Sequence, residues 1–247
     1  MNVVLVGATK GMGRALARKM AARGDRLFLL GRDPEELERS AADLRVRADA
    51  SESPGIAWCD LEHADGFADA LDAAWAGLGH VDAVVVTAAM FGTQDALEDD
   101  TELARRLLTV NFANTVTFCE HARKRLLGQA EGGTLCVFSS VAGDRGRKPV
   151  ALYGSSKAGL SHYLESLDHK FHDQGLRTIC VKPGFVRTGM TAGLKAPPFA
   201  GEADDVADDV LQAIDRGTPM LYTPGIWQLV MVAIQLAPRA VMRRVGF

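Results

Sequence analysis

Four cysteines, Cys59, Cys119, Cys136 and Cys180, are scattered through 247 residues with no Cys-x-x-Cys pair among them. That absence argues against a disulfide scaffold or a cysteine zinc site, and suits a reduced, cytoplasmic protein with buried thiols. Basic residues are not in excess: 28 Lys and Arg stand against 31 Asp and Glu, for a net charge of −3. No basic surface for nucleic acid is therefore advertised. No apolar run approaches the ~18 residues of a membrane-spanning helix. The opening MNVVLVGATKG begins a strand at once, which leaves no room for a signal peptide. No linker, repeat or low-complexity tract divides the chain, so a single domain is expected over residues 1–247.

What is present is an alternation of short apolar runs and amphipathic stretches. The runs are NVVLV (2–6), RLFLL (26–30), IAWC (56–59), DAVVVT (82–87), TLCVFS (134–139), RTICVK (177–182) and PMLYT (219–223). Between them lie helical patterns such as GRALARKMAARG (13–24) and PEELERSAADLRVRA (34–48). Strands apolar on both faces, alternating with helices, predict a parallel sheet covered on both sides. Right-handed crossovers then give an α/β, doubly wound Rossmann-type three-layer sandwich of about seven strands.

The stretch VGATKGMGRAL follows the first strand and opens a helix. Gly7, Gly11 and Gly13 let the backbone turn tightly and approach a ligand, and the helix N-terminus offers free N–H groups to a pyrophosphate. The strand–loop–helix context points to a dinucleotide. An acidic residue about 20 positions further on would hold a ribose 2′-hydroxyl. Here the second strand ends in Gly31 and Arg32, and Asp33, followed by Pro34 and Glu35, reads as a helix N-cap. Arg32, together with Lys10 in the glycine loop, favours a 2′-phosphate and so NADP(H).

ALYGSSKAGL (151–160) holds Tyr153 and Lys157 at i and i+4, on one helical face. Free tyrosine, with a pKa of about 10, is a poor acid or base near neutrality. A neighbouring ammonium favours the phenolate and lowers that pKa, after which the phenol can donate to a carbonyl oxygen or accept from an alcohol. Upstream, VFSSVAG ends a strand, and Ser140 is positioned to bond the same oxygen.

With GATKGMG, the Asp60 of WCDL, the Asn111 of VNFAN, the Ser140 of SSVAG, YGSSK and KPGFVRTGM, the chain resembles the short-chain dehydrogenase/reductase family over essentially its whole length. The resemblance implies that Tyr153 is the proton donor or acceptor, that Lys157 lowers its pKa and holds the nicotinamide ribose, and that Ser140 orients the substrate carbonyl. It implies that Asn111 anchors a water-mediated proton relay, that Asp60 contacts adenine, and that Pro183, Gly184 and Thr188 border the nicotinamide. It also sets Thr9, Met12, Leu61, Ala88, Ala89 and Val186 against the cofactor, beside Gly7, Lys10, Gly11, Gly13 and Arg32. The family pairs the long helix after Tyr153 with its predecessor at a dimer interface, so a homodimer or homotetramer is implied. Leu160, Leu164 and Leu167 would supply apolar contacts there or face the sheet. Two departures occur together: Val6 stands where the family's glycine motif begins with threonine, and Thr87 to Met90 read TAAM where the family has Asn-Asn-Ala-Gly.

Two stretches remain unusual. In GDRGRKPVALY, Arg145, Arg147 and Lys148 lie near the expected substrate entrance, as a site for an acidic substrate or as a solvated charge run. The tail (225–247) contains Ile226 to Ala237, interrupted only by Gln228 and Gln235, then Pro238 and Arg239, Arg243 and Arg244. It is too short to span a bilayer and suits either an interfacial segment, with Trp227 and the arginines at the headgroups, or a buried helix or subunit interface. Residues 188–204 form the expected substrate loop. The basic loop, VRTGMTAGLKAP and APRAVMRR look like the decaprenylphosphoryl-2-keto-pentose reductase branch, whose enzymes reduce a keto-sugar on a polyprenyl phosphate. A soluble hydrophobic ketone is the alternative substrate, and a non-catalytic NADP(H) sensor or a membrane-recruited scaffold are readings of other classes. His169 and His172 have a spacing that permits a metal, but no third ligand accompanies them and a solvated helix face is expected.

Overall fold

Along β1 (Asn2–Val6), side chains alternate between two separate cores: Val3 and Leu5 join one, Val4 and Val6 the other. The same division runs through β2 (Arg26–Gly31), β4 (Ala83–Val86), β5 (Gly133–Phe138) and β6 (Leu176–Pro183). With β3 (Gly55–Trp58) and β9 (Met220–Thr223) they form one parallel sheet, in the order β3-β2-β1-β4-β5-β6-β9. All seven expected strands are in it. The computed structural model describes residues 1–49 and 52–245; Gly246 and Phe247, at the end of the expected tail, lie outside the described residues.

Helices α1 (Gly11–Ala22), α2 (Pro34–Arg47) and α8 (Ala203–Arg216) cover one face. On the other lie α3 (Phe67–Leu78), α6 (Thr115–Leu127) and α7 (Ala151–Phe171). Continuous apolar strands follow from this double cover, since neither face of the sheet meets water. Leu160, Leu164 and Leu167 of α7 are buried against the sheet, so any contact of α7 with another subunit uses its other side. Short helices α4 (Gln94–Asp99) and α5 (Thr101–Leu108) follow β4. All four cysteines are free and buried.

Asp33 caps α2 as its sequence context predicts, accepting from the backbone N–H of Glu36 with Pro34 at the first helical position. An unanticipated pair forms across the expected substrate loop, β7 (Val186–Arg187) just before it beside β8 (Gly201–Glu202) near its end. Two residues per strand carry no readable periodicity.

The tail folds into α9 (Ile226–Leu236) and α10 (Arg239–Met242). α9 docks through Trp227 and Met231 onto Val141, with Phe185, Tyr222, Val230 and Ile234 around them. Trp227 is therefore inside the protein and not at a headgroup layer: only 8% of it is exposed, and its Nε1–H donates to the Phe199 carbonyl. The opposite side of α9 is bare, with Leu229 69% and Leu236 78% exposed. Among the described residues no helix is long and apolar enough to cross a membrane.

Candidate active site

The glycine loop fits where nothing larger would. Gly7 and Gly11 have φ of +93° and +52°, the left-handed region that glycine enters without strain. A Cβ on Gly13 would run into the Gly7 carbonyl oxygen and Thr87 Oγ1. Thr87 Oγ1 donates to the carbonyls of Val6 and Gly7, at 3.0 and 3.1 Å, and ties the end of β4 to the loop. The joint departure at Val6 and Thr87 thus still carries a polar tie. α1 begins after Lys10 with no side-chain cap and no acidic residue in its first turn. Its first N–H groups are left for an anion.

Around this loop lies a groove of about 410 Å³. Gly7, Thr9, Lys10, Gly11, Met12, Gly13, Arg32, Asp60, Leu61, Ala88, Ala89 and Thr188 line it, as the sequence suggests; Thr87, Met90, Val110, Gly189 and Met190 join them unpredicted. Uncapped donors, a cradle that a Cβ would fill, and an exposed cation at the end of β2 fit a phosphate-bearing dinucleotide. Arg32 is 65% exposed and, among the described residues, meets only Glu62, at 3.4 Å. Glu62 is already held by two bonds from Arg106, 2.8 and 3.0 Å long, and that pairing lowers its pKa. Asp60 turns one carboxylate oxygen back to the backbone N–H of Glu62.

Tyr153, Lys157, Pro183, Gly184 and Val186 are not in the lining of that groove. Val186 directs its side chain into the core with α1 and α8, which leaves only its backbone for a ligand. Gly184 is required by the tail, because a Cβ there would strike the Trp227 indole.

Asn111 sits in a π-helical segment, Thr109–Asn114, between α5 and α6. Such turns recur at functional sites. The Asn111 side chain is fully buried and clamps Met90 in both directions, accepting from its N–H at 2.7 Å and donating to its carbonyl at 2.8 Å. The structure thus gives the side chain itself a positioning task on the groove wall.

Ser140, Tyr153 and Lys157 come together at the ends of β5 and α7. Ser140 caps the 3₁₀ turn Val141–Gly143, and its Oγ lies 3.4 Å from the Pro183 carbonyl. Lys157 is 2% exposed; its Nζ donates to the Phe138 carbonyl at 2.9 Å and lies 5.9 Å from the centre of the Tyr153 ring. The adjacent Ser139 fixes this geometry by donating to the Lys157 carbonyl and bonding Ser161 at 2.7 Å. Its doubling with Ser140 in the sequence was the available signal.

The expected lowering of the Tyr153 pKa by Lys157 does not appear. Burial pushes the phenol up to about 12, and the opposing influence is the Ser140 hydroxyl. Lys157 is itself pushed down to about 8 by burial. Desolvation here outweighs the i, i+4 pairing, so at neutral pH the tyrosine holds its proton.

A second polar cluster adjoins the first and has no local sequence signature. The Asp144 carboxylate, 2% exposed, accepts from Lys182 Nζ at 2.7 Å and from Tyr222 OH at 2.8 Å. Burial alone would lower the Lys182 pKa, but its bond to Asp144 holds it above the usual value. Asp144 ends the turn that Ser140 begins, and Lys182 precedes Pro183, so this pair anchors the serine's surroundings. The loop cations are mostly not free for a substrate. Arg145 donates to the Ala237 carbonyl at 3.0 Å and Lys148 to the Arg243 carbonyl at 2.7 Å. Ala237 and Arg243 are the C-caps of α9 and α10, where helix ends leave carbonyls unpaired. His169 and His172 are exposed, and no potential metal cluster is found among the described residues.

The family model described as short chain dehydrogenase matches residues 1–198. An uncharacterized oxidoreductase of Mycobacterium tuberculosis is 31% identical over 98% of this chain and 96% of its own length. Carbonyl reductase family member 4 of Xenopus tropicalis is 29% identical, with 83% of this chain and 87% of the relative covered. A solved short-chain dehydrogenase from Sphingobium yanoikuyae, in complex with NADPH, is alike in fold: the TM-score is 0.80 over 94% of this chain and 93% of that one, at 23% identity.

The depressed Lys157 pKa has a measurable consequence. In the unfolded chain the group returns to 10.5, so between about pH 8 and 10.5 the unfolded state binds more protons and stability rises with pH. Lys157→Met removes that slope. Urea denaturation of the nucleotide-free proteins should show the wild type gaining about 2–3 kcal/mol on the variant between pH 7 and pH 10. A pH-independent difference would mean that the ammonium is not desolvated.

Proposed function

The chain belongs to the short chain dehydrogenase family, and from that premise we propose that it is an NADP(H)-dependent oxidoreductase interconverting a ketone and a secondary alcohol. One observation carries the reading: a protonated phenol, Tyr153, stands by the Ser140 hydroxyl and the buried Lys157 ammonium, at the strand ends beside a groove fitted for a dinucleotide.

When bound, the nicotinamide supplies the hydride. The protein does the rest. Ser140 Oγ–H orients the carbonyl oxygen, and Tyr153 donates the proton to that oxygen, or takes it back in the reverse direction. Once the proton has left, the Lys157 ammonium favours the phenolate. As in the family it resembles, Lys157 would also hold the nicotinamide ribose. Asn111 holds Met90 on the groove wall and, as in the family it resembles, anchors the path by which the proton is replaced. As the family resemblance implies, Asp60 and Leu61 would border the adenine, and Pro183, Gly184, Val186 and Thr188 the nicotinamide. A cofactor sensor without turnover would need no acid so placed.

Arg32 and Lys10 support NADP(H) over NAD(H), since Asp33 is occupied as a helix cap and Glu62 by Arg106. The Sphingobium relative holds NADPH, in agreement. For the substrate, a lipid-linked keto-sugar is favoured over a soluble hydrophobic ketone by the bare side of α9. Leu229, Val232 and Leu236 face outward there, with Arg239, Arg243 and Arg244 beyond them, a combination suited to an anionic lipid surface. Family membership also supports a homo-oligomer.

Tyr153→Phe should lower kcat by about 10²–10⁴-fold with NADPH binding retained; normal turnover of any ketone by this variant would end the mechanism. Arg32→Ala should weaken NADPH much more than NADH, by about tenfold or more, and equal losses in titrations of the two would refute the cofactor assignment. Flotation with anionic liposomes tests the tail: binding that survives high salt is the expected result, and none at either salt would remove the lipid-linked substrate.

A further inference from the structure

Three cations stand in the loop between Ser140 and Tyr153, and two of them have partners. The third does not. Among the described residues, three buried side-chain atoms lack any hydrogen-bond partner: Thr134 Oγ1, Thr178 Oγ1 and Arg147 Nε. Only one of these belongs to a charged group. The Arg147 guanidinium makes no ion pair among the described residues; the acid that influences it is Asp144, whose two oxygens are already bound to Lys182 and Tyr222. Burial lowers the Arg147 pKa, and Asp144 only partly offsets it. Yet a guanidinium keeps its charge at any ordinary pH.

Arg147 is half-buried, with its Nε enclosed and unpartnered; partial burial of a charge with no counter-ion is unfavourable, and a ligand that supplies one offsets that cost. Arg147 sits between the turn that begins at Ser140 and the 3₁₀ turn Lys148–Val150 that leads into Tyr153. The turn on one side is pinned by Asp144 and Lys182, the one on the other by Lys148 and the tail. The backbone carrying Arg147 is thus held from both directions, by bonds that leave its own side chain unused. A planar fork of donors in that state matches the paired oxygens of a phosphate or carboxylate.

We propose that Arg147 binds an anionic oxygen group, a phosphate or a carboxylate, carried by the carbonyl substrate at a distance from the reacting carbon. The inference deepens the reductase reading and rests on Ser140 and Tyr153 being the carbonyl site. A phosphate reaches such a site either on a soluble sugar or on a prenyl chain.

The test has two arms. In the first, inorganic phosphate and farnesyl phosphate are titrated into the wild type, R147Q, R147K and R32A, with melting temperature as the readout. R147Q should weaken the phosphate response by about tenfold or more, R147K should recover part of it, and R32A should keep the component that R147Q loses. Tighter binding of farnesyl phosphate than of inorganic phosphate identifies the lipid source; equal binding identifies a soluble one. A response that is absent in the wild type, or identical in wild type and R147Q, overturns the proposal. In the second arm, kcat/KM with NADPH is measured for ribulose 5-phosphate and for ribulose. The ratio of the two, which does not depend on the folded fraction of a variant, should fall at least about tenfold in R147Q. An unchanged ratio overturns the proposal. If neither sugar nor any simple ketone is reduced, the reductase reading fails by itself, and the phosphate arm still decides for or against Arg147.

Discussion

Every strand of the sheet runs the same way, and the site depends on that constraint. A parallel register brings the carboxyl ends of all seven strands to one edge. Gly7, Arg32, Asp60, Thr87, Ser140, Gly184 and Pro224 all lie just beyond strand ends, although they are spread through most of the sequence. The order reverses between β1 and β4, and the crevice opens there. Close packing at that edge explains the smallest residues in it. Gly13 meets the Gly7 carbonyl, and Gly184 meets Trp227. One glycine serves the groove and the other serves the tail.

Burial governs the chemistry at this edge more than pairing does. Tyr153 and Lys157 are both driven toward their neutral forms, in opposite directions along the pH scale. The result at neutral pH is a protonated phenol beside an ammonium that still carries its charge. Such a pair can give up one proton with little rearrangement, because the phenolate formed lies beside a cation already in place. Asp144 and Lys182 show the other outcome. There a direct 2.7 Å bond more than offsets desolvation for the lysine, and the contact serves as a structural anchor. Two lysines near Ser140 thus differ because one meets a carboxylate and the other a backbone carbonyl.

What was legible in the sequence follows from range. The seven strands were readable because a doubly covered sheet writes continuous apolar runs into the chain. Asp33 was readable as a cap because Pro34 and Glu35 follow it directly. Ser140, Tyr153 and Lys157 form a spaced pattern that the family resemblance made specific. The Asp144–Lys182 and Asp144–Tyr222 bonds join residues 38 and 78 positions apart, and no local pattern encodes them. The Tyr153 pKa was misjudged for a related reason: the i, i+4 neighbour is visible in sequence, whereas the burial that outweighs it is a property of the assembled fold. The pair β7–β8 was invisible because it has two residues a side.

The basic loop and the apolar tail read as two independent oddities in the sequence, and in the structure they are one. Arg145 and Lys148 each end on a tail carbonyl, and Gln235 of α9 reaches back to the Asp144 carbonyl at 3.5 Å. Counting charges could not separate these cations, because a helix C-terminus attracts them as an anionic ligand does. Geometry separates them. A lysine or arginine whose donors meet helix carbonyls is accounted for by the fold. Arg147, in the same loop with a buried and unpartnered Nε, is not. The tail divides in the same way: Trp227 and Met231 belong to the core, while Leu229 and Leu236, on the same short helix, are left to solvent. A helix apolar almost all round has to dock by one side, and Gly184, lacking a Cβ, leaves room for the Trp227 indole of the side that docks.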